Sequence, residues 1–442
     1  MPRMANHAAS AHPAAHQSGH SLSAADRAYL MRLQRASLQY FVDNQLANGL
    51  FLDRQANHGP RRMHGLASTA ATGMGFIALG LAAAEPHYLL SRAEACRRIG
   101  AGLRHALERL PCDRGVLPHF VDAATGAVRG IDRFSTLDSS WLVAGALWAA
   151  AFLQDRTLEE LAARLYERVE WRAWTAPTGP HAGRLLLHGK GEHGRLLESA
   201  WDRLNGETIF MYLLAAGAVP ARAIEPDCWT ALRPFYGTAG GLRFNNADLG
   251  LFVFQYGLDL VDLVRWQAPG KLDLWAEARL ATLANRQVCR DHADRFATYR
   301  RFWGLSAGDG PAGGWPPHAY RSYSPSRPLD GTAHLTASLA SVAHAPEYVL
   351  ENLYQAQHDR RRVIRGAYGF SNVNLDRRWI AGDMVGIDAG AAALALDNFL
   401  MEGRVRAAFH QIPCVAKAVE RLGFQRRSGG TEFIPFELRA AS

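Results

Sequence analysis

Long hydrophobic runs rich in alanine and glycine recur along the chain, and they are too apolar to have a solvent-exposed face. Each has the length of a helix, and strand-like alternation of apolar and polar residues is scarce. This pattern predicts helices that are covered on every side by other elements. The predicted buried helices are 68–84, 135–153, 206–217, 246–264, 331–344 and 386–400.

Between these runs lie segments in which charged residues occupy one helical face. The predicted amphipathic helices are 24–47, 88–110, 157–171, 272–292, 346–360 and 403–422. Alternation of six buried and six half-exposed helices predicts an all-α fold, an (α/α)6 toroid with an inner ring wrapped by an outer ring. No Pro/Gly/Ser linker divides the chain, so one domain is expected over 23–442, after a disordered His/Ala-rich tail at 1–22.

The inner helices of such a toroid would all begin at the same end, and the predicted ones begin with polar or acidic residues. Taken singly, these residues are explained by helix capping: Ser135 and Asp138 form a capping box, and Asn205 can cap the helix whose first turn contains Glu207. Taken together, they predict a shared opening lined by carboxylates. Aromatic residues flank these positions, and carboxylates with aromatic rings are typical of sugar-binding clefts.

Composition and charge exclude several other classes of protein. Hydrophobic residues make up 48% of the 442-residue chain and charged residues 20%, as in ordinary globular proteins. The net charge of +8 comes almost entirely from arginine, and the one dense basic run is 359–365, so no nucleic-acid partner is expected. The most apolar run, 141–153, is too short for a membrane span.

No metal or other cofactor is predicted. The five cysteines are scattered without a CxxC motif, which argues against a zinc site or a disulfide framework. His12, His16 and His20 could bind a metal only in a helix, and the composition around them indicates disorder. The tail lacks a secretory signal, so the sequence as given indicates a cytoplasmic protein; a leader missing from it would instead indicate a periplasmic or secreted one. The oligomeric state is not predicted.

Several motifs resemble the glucoamylase-like family of bacterial proteins, which contains the endo-β-1,2-glucanases of glycoside hydrolase family 144. The most specific are "FWGLSAGDGP" (302–311) and "MVGIDAGAAALALDNF" (384–399), and "STLDSSWLVAGAL" (135–147) and "WDRLNGETIFMYLLAAG" (201–217) follow the same order. The resemblance implies an (α/α)6 toroid and a glycoside hydrolase that acts on an oligo- or polysaccharide.

The resemblance also implies roles for individual residues. Glu207 matches the general acid, and Asp138 matches an acidic position that handles the attacking water; an inverting reaction is expected. The residues predicted to bind substrate are Asp53, Arg54, Asp132, Trp201, Gln255, Tyr256, Asp262, Trp303, Asp309, Asp330, Trp379 and Asp388.

Two departures from the family pattern keep other functions open. Gly206 is an apparent one-residue insertion before Glu207, and Phe254 and Leu258 stand where relatives have histidines. One alternative is therefore a glycan-binding protein that has lost turnover. Another is a polysaccharide lyase or epimerase acting on an anionic sugar, which the arginines and tyrosines of 299–327 would suit.

Overall fold

Helices account for most of the regular structure. A computed structural model describes residues 22–62, 65–130, 132–311 and 320–428. Its α-helices are α1 (Ala24–Asn44), α2 (Thr69–Ala82), α3 (Arg92–Glu108), α4 (Thr136–Leu153), α5 (Arg156–Glu167), α6 (Ile209–Gly217), α7 (Cys228–Ala231), α8 (Leu274–Asp291), α9 (Leu335–Ala340), α10 (Pro346–Gln357), α11 (Gly386–Leu400), α12 (Arg404–His410) and α13 (Pro413–Leu422). The histidine-containing part of the predicted tail lies outside the described residues.

The most apolar predicted helices are confirmed and lie in the core. Every residue of α2 and α6 is buried, and α4 and α11 are buried along most of their length. Small residues allow α2 and α4 to touch: a Cβ on Gly145 would lie 2.0 Å from the carbonyl oxygen of Gly73. The alanine- and glycine-rich composition therefore reflects close packing between buried helices.

Two of the predicted buried helices differ from the structure. The prediction of a helix at 246–264 is wrong: the segment forms two 3-10 helices, Leu251–Phe254 and Gly257–Asp259. Its first turn is tied to another part of the chain, because the Leu251 N–H donates to the Leu305 carbonyl at 2.9 Å. The predicted helix 331–344 is reduced to α9, since Ala333 pairs in extended conformation with Val373.

The amphipathic segments form helices whose boundaries lie close to those predicted. Polar side chains cap several of them: Ser23 caps α1, Ser91 caps α3, Asp155 caps α5 and Asp273 caps α8. The segment 403–422 is two helices, α12 and α13, rather than one. The break falls at Pro413, which has no N–H to continue the helical hydrogen bonding of α12.

Short strands link the helices, so the description all-α is only partly right. They are β1 (Arg54–Ala56), β2 (Leu66–Ser68), β3 (Phe120–Asp122), β4 (Val128–Arg129), β5 (Asp132–Ser135), β6 (Gly189–Gly191), β7 (Tyr236–Ala239), β8 (Leu242–Asn245), β9 (Trp266–Gln267), β10 (Ala307–Gly308), β11 (Arg321–Ser322), β12 (Val373–Asn374), β13 (Trp379–Ile380), β14 (Asp383–Val385) and β15 (Gln425–Arg426). All pairings are antiparallel, in the orders β1–β14, β2–β3–β4, β5–β6, β7–β8, β9–β15, β10–β11 and β12–β13.

The core divides into two clusters of buried side chains. The larger surrounds α2, α4 and α6, and the smaller lies between α1, α9, α10 and α11. Within the described part of the chain, α4 alone is long and apolar enough to cross a membrane, and 83% of it is buried against the rest of the protein. This degree of burial is typical of a helix in the core of a globular protein.

Candidate active site

Three buried helices begin beside residues that belong to one site. The N–H of the first residue of α2, Thr69, donates to the His119 carbonyl, and that of α4, Thr136, donates to the His188 carbonyl, each at 3.1 Å. In the same way the N–H of Gly386, which begins α11, donates to the Asp53 carbonyl at 2.6 Å. These bonds satisfy donors that a helix leaves unpaired at its N-terminus. They also hold the loops that carry the site against the helices.

A cavity of about 290 Å³ opens at these helix starts. Its lining mixes carboxylates, histidines and aromatic rings with a few aliphatic side chains. The lining residues are Ala70, Met74, His119, Asp132, Ser135, Leu137, Asp138, Trp141, His188, Leu197, Trp201, Glu207, Phe252, Tyr256, Ala307, Tyr320 and Ile387. The predicted catalytic pair, Glu207 and Asp138, thus lies in one cavity.

Glu207 lies in the turn that precedes α6, two residues before the helix begins. The side-chain oxygen of Asn205 accepts hydrogen bonds from the N–H groups of Glu207 and Thr208, at 2.9 and 3.2 Å, and so stabilises this turn. The prediction that Asn205 caps the helix is wrong, because α6 begins only at Ile209 and its N-cap residue, Thr208, makes no side-chain capping bond. Burial against the apolar start of α6, with Asp138 nearby, raises the pKa of the Glu207 carboxyl to about 8. At neutral pH this group is therefore largely protonated and can donate a proton.

Asp138 lies in the first turn of α4, where Ser135 caps the helix. The Ser135 hydroxyl oxygen accepts from the Asp138 N–H at 3.3 Å, and the hydroxyl itself donates to the Asp138 carboxylate. The second bond of a capping box, from the Ser135 N–H to the Asp138 carboxylate, is absent, because the Ser135 N–H donates to the Leu117 carbonyl instead. The Asp138 carboxylate is thus not engaged with the Ser135 N–H and faces the cavity, where 14% of its side chain is exposed.

His119 contacts the carboxylates of both Asp138 and Asp132. Its Nε2 lies 3.4 Å from Asp138 and its Nδ1 lies 3.9 Å from Asp132, and its ring stacks on Phe120 with centroids 3.8 Å apart. Burial lowers the pKa of the imidazole, but Asp138 and Asp132 offset this, so that the pKa of His119 lies above its ordinary value. The nearby His119 ring in turn lowers the pKa of Asp132.

Aromatic rings form the walls of the cavity. Trp201 stacks on His188 with centroids 3.9 Å apart, and its indole N–H donates to the Thr136 hydroxyl at 3.1 Å. Tyr256 meets Trp141 edge to face at 6.5 Å. Tyr320 is 37% exposed. Rings held in this way offer apolar faces to the C–H groups of a sugar.

A second group of carboxylates surrounds Arg54 next to the cavity. The guanidinium donates to both carboxylate oxygens of Asp309, at 3.2 and 3.0 Å, and to Asp53 at 3.3 Å. Asp383 lies 3.9 Å from it and is also bonded by Arg62. Burial raises the pKa of Asp53 despite the adjacent guanidinium. The positive charge of Arg54 is therefore fully compensated by protein carboxylates.

Asp388 connects this group with the cavity wall, because the Tyr256 hydroxyl donates to it at 3.1 Å. Burial raises the pKa of Asp388 to about 7, while the bond from Tyr256 opposes the rise. Asp388 therefore changes charge near neutral pH.

Several of the predicted substrate-binding residues do not line the cavity. Gln255 donates to the Ala337 carbonyl at 2.7 Å and holds the 3-10 segment in place. Asp262 is buried and pairs with Arg265 at 2.8 Å. The ring of Trp303 is buried in the smaller core cluster.

Two more of the predicted residues have positions set by short strands. Trp379 lies on β13, paired with Asn374 of β12. Asp330 is bonded by Arg321, beside β11, and by the Tyr323 hydroxyl at 3.3 Å. Neither side chain belongs to the cavity lining. By contrast Asp132, Trp201 and Tyr256 do line it, as predicted.

His119, His188 and Asp383 were not predicted as site residues. The two histidines occur in loops without a recognisable motif, and only the pairing of their carbonyls with the starts of α2 and α4 brings them together. The sequence signal for His188 is the length of its loop, 172–200, because long loops in a compact domain often carry function. Asp383 lies on β14, which pairs with β1 and so faces Arg54.

The residues that depart from the family pattern lie behind the cavity. Phe254 is 4% exposed and packs against Phe244, and Leu258 is 2% exposed. Both side chains belong to the larger core cluster, and neither lines the cavity. Gly206 packs against the same turn, where a Cβ on it would lie 3.0 Å from the Leu258 side chain.

Metal ligation has no support from side-chain geometry in the part of the chain that is described. There, no three His, Cys, Asp or Glu side chains are grouped so as to hold an ion. The cysteines at 96, 112, 228, 289 and 414 are all free thiols. The described lining of the cavity supplies carboxylates, imidazoles and hydroxyls.

Comparison with known proteins confirms the resemblance drawn from the sequence. Residues 198–413 match the model of the family Glycoamylase, described as "Putative glucoamylase". This range contains Glu207, Tyr256, Asp309 and Asp388, and it ends at the first residue of α13. Comparison with curated proteins gives no match.

Solved structures share the fold along almost the whole chain. An endo-β-1,2-glucanase from Chitinophaga pinensis, in complex with sophorotriose and glucose, has a TM-score of 0.78 at 21% identity, covering 92% of this chain and 99% of that one. A "putative glucoamylase" from Bacteroides fragilis has a TM-score of 0.77 at 22% identity, covering 93% and 99%. One from Bacteroides uniformis has a TM-score of 0.76 at 22% identity, covering 92% and 98%.

Proposed function

We propose that the protein is a glycoside hydrolase that cleaves a neutral, β-1,2-glucan-like polysaccharide with Glu207 as general acid and Asp138 as general base. The observation that carries the proposal is the difference between these two carboxyl groups in one cavity. The pKa of Glu207 is raised to about 8, whereas the partly exposed Asp138 carboxylate lies 3.4 Å from the His119 ring. Glycoside hydrolysis requires one protonated and one ionised carboxyl group.

In this mechanism Glu207 donates its proton to the glycosidic oxygen as the bond between that oxygen and the anomeric carbon breaks. A water molecule attacks the anomeric carbon from the opposite face and forms the new C–O bond. Asp138 takes the proton that this water loses, and exchange with solvent returns both groups to their starting states. Attack by water from the opposite face inverts the anomeric centre.

The charges around the cavity favour a neutral sugar over an anionic one. Within the described residues, no arginine or lysine lines the cavity. Two of the arginines that could neutralise a uronate are engaged elsewhere: Arg300 donates to the Ala293 carbonyl, and Arg301 pairs with Asp359 at 2.6 Å. Among the described lining residues, an anionic sugar would meet several carboxylates and no arginine or lysine, which argues against the lyase or epimerase.

The finer architecture belongs to the same proposal. The buried helices α2, α4, α6 and α11 represent the inner ring, and α1, α3, α5, α8, α10 and α13 represent the outer ring of an (α/α)6 toroid. We infer one domain over 23–442, because core contacts join α1 to α11 and α6 to α13. The irregular segment at 251–259 takes the place of one inner helix. Solved relatives that share the fold over nearly the whole chain support this arrangement.

A product assay on linear and cyclic β-1,2-glucan, with other neutral glucans and a polyuronate beside them, tests the function. Wild-type protein is expected to release oligosaccharides from a neutral glucan, and Glu207→Gln to lose at least about 100-fold in rate, the contribution typical of a general acid. Proton NMR of the first product should show the inverted anomer. Cleavage of the polyuronate with an unsaturated product would refute the proposal.

The glycan-binding alternative makes a different forecast for the same pair of proteins. If the protein only binds, no glucan is cleaved, and oligosaccharide affinity is the same for wild type and Glu207→Gln. Its original support, the histidines missing at 254 and 258, is weakened because both positions lie in the core. The hydrolase remains the function that the site supports best.

A further inference from the structure

Phe235 is a large apolar side chain that stays 49% exposed, and it lies beside the segment that leads out of the cavity. That segment carries Trp201, which lines the cavity, and it pairs with the chain before β7 through a parallel bridge between Arg203 and Arg233. Backbone hydrogen bonds of 2.9 and 2.8 Å on either side of Arg203 hold the two segments together. Side chains alternate between the faces of an extended segment, so Trp201 and Arg203 share one face, about 7 Å apart along the chain.

The ring of Phe235 is held in place by a fixed arginine. The Arg203 guanidinium lies over the ring, 4.2 Å from its centroid. Its Nη1 donates to both carboxylate oxygens of Asp248, at 2.8 and 2.9 Å, and the Asp248 carbonyl accepts from the Ser326 hydroxyl at 2.9 Å. Arg203, Phe235 and Asp248, together the Phe235 platform, therefore present an apolar ring beside two partly exposed polar side chains whose charges compensate each other.

We propose that the Phe235 platform binds sugar units of a neutral glucan chain where that chain leaves the cavity at Trp201. This inference rests on the proposed function, in which the substrate is a polysaccharide. A cavity of about 290 Å³ holds only a short part of such a chain, so the remaining units must cross the protein surface. An aromatic ring contacts the C–H face of a sugar, and polar side chains beside the ring can bond its hydroxyls.

The other exposed aromatic rings among the described residues do not continue the cavity wall in this way. Tyr88 lies beyond the C-terminal end of α2, whereas the cavity opens at the start of that helix, about 20 Å away. Tyr236 is adjacent to Phe235, but successive side chains alternate, so its ring faces the opposite way and lies under Arg243. Tyr320 lines the cavity itself. A chain that passes Trp201 therefore meets Phe235 next.

Calorimetric titration in a Glu207→Gln background tests the platform without turnover. The ligands are long linear β-1,2-glucan and the disaccharide sophorose. Phe235→Ala should weaken binding of the glucan by about 3- to 10-fold, the effect of losing one ring contact, whereas sophorose is too short to need the platform and should bind with the same affinity. Phe235→Trp, which keeps an aromatic face, should bind the glucan at least as tightly as the parent protein. Unchanged glucan affinity in Phe235→Ala, or an equal loss for sophorose, would overturn the inference.

Tyr236→Ala is the matched control. It removes an exposed ring from the adjacent position, and this ring also has an arginine over it, with the Arg243 guanidinium 4.5 Å from the centroid. Because this ring faces away from Phe235, its loss should leave the glucan affinity unchanged. An equal loss in Tyr236→Ala and Phe235→Ala would show that both substitutions disturb the hairpin as a whole, and it would overturn the role of Phe235.

The binding test separates this inference from the proposed function. If wild type cleaves no glucan, but Phe235→Ala still weakens glucan binding selectively, the proposed function fails and the platform stands. If wild type cleaves glucan while Phe235→Ala changes neither its binding nor its cleavage, the function stands and the platform fails. If neither glucan nor sophorose binds, both proposals fail.

Discussion

The backbone of Gly206 packs against that of Gly257, and a Cβ on Gly257 would lie 1.9 Å from the Gly206 carbonyl oxygen. The same Cβ would lie 2.9 Å from the carbonyl oxygen of Glu207. The glycine that looked like an insertion in the sequence is thus half of a contact between two backbones. This contact sets the position of Glu207, the proposed general acid, relative to the 3-10 segment that carries Tyr256.

Gly257→Ala should therefore displace Glu207 and destabilise the protein. Overpacking of this kind costs about 1–3 kcal/mol, and the backbone on the far side has little room to move. We expect a lower midpoint in chemical denaturation and a loss of activity larger than the loss of folded protein explains. Gly382→Ala is the control, because no atom lies within 4 Å of its Cβ position. Equal effects of the two substitutions would contradict this account of the contact.

The raised pKa of Glu207 links its protonation to the stability of the fold. A carboxyl whose pKa rises from 4.5 to about 8 on folding binds a proton more tightly in the folded state. The stability that this provides is complete below pH 4.5 and is lost as the pH rises through 8. Glu207→Gln removes this dependence. The free energy of unfolding of the variant, relative to that of wild type, should therefore increase from pH 6 to pH 9, by on the order of 2 kcal/mol.

Chemical denaturation of both proteins at pH 6 and pH 9 measures that gain. Glu94→Gln serves as the control: bonds from Arg97 and Arg98 lower the pKa of Glu94 to about 2, so Glu94 stays ionised across the whole range. Its replacement should change stability equally at the two pH values. If Glu207→Gln also has equal effects at both, Glu207 is not protonated in the folded protein.

The sequence predicted the site residues whose positions are set by the start of a helix. It missed the site residues whose positions are set by pairing with a strand or helix far away in the sequence. Asp138 and Glu207 were predictable because Ser135 and Asn205 are local capping signals, three and two residues away. His119 has no such signal, since its position depends on a bond to a helix 50 residues earlier in the chain. Its contacts with Asp132 and Asp138 could be recognised only in the folded structure.

The wrong helix at 246–264 has a related cause. Its residues are apolar enough for a buried helix, but the apolar pattern indicates only that the segment is buried and does not show whether it forms one continuous helix. The contact between Gly206 and Gly257, and the bond from Leu251 to Leu305, bend the segment into two short turns. Trp303 was misplaced for the same reason, because an aromatic ring in a long loop can turn inward to the core.

Tyr256→Phe should change how the site responds to pH. The lost hydroxyl donates to Asp388, so the pKa of Asp388 should rise above its value of about 7, by on the order of one unit. The ionised carboxylate is the better acceptor for sugar hydroxyls, and wild-type affinity is expected to increase as the pH rises through 7. In Tyr256→Phe this increase should occur at higher pH.

Calorimetric titration with a β-1,2-linked gluco-oligosaccharide, in a Glu207→Gln background, measures the shift without turnover and without the titration of Glu207. Tyr236→Phe is the control, since that ring lies on β7 and stacks with Arg243, and it is not part of the cavity lining. A pH dependence that is the same in all three proteins would show that Asp388 does not sense the sugar.

Arg54→Met should destabilise the protein much more than the loss of an ordinary surface arginine. It removes the cation that Asp309 and Asp53 share, and breaking a buried pair in this way costs about 3–5 kcal/mol. The loss should be smaller at pH 4 than at pH 8, because protonation of the carboxyls relieves their repulsion. Arg129→Met, which breaks an exposed pair with Asp122, should cost under about 1 kcal/mol at either pH. A cost for Arg54→Met that matches this control would mean that the carboxylates around Arg54 are hydrated and do not depend on it.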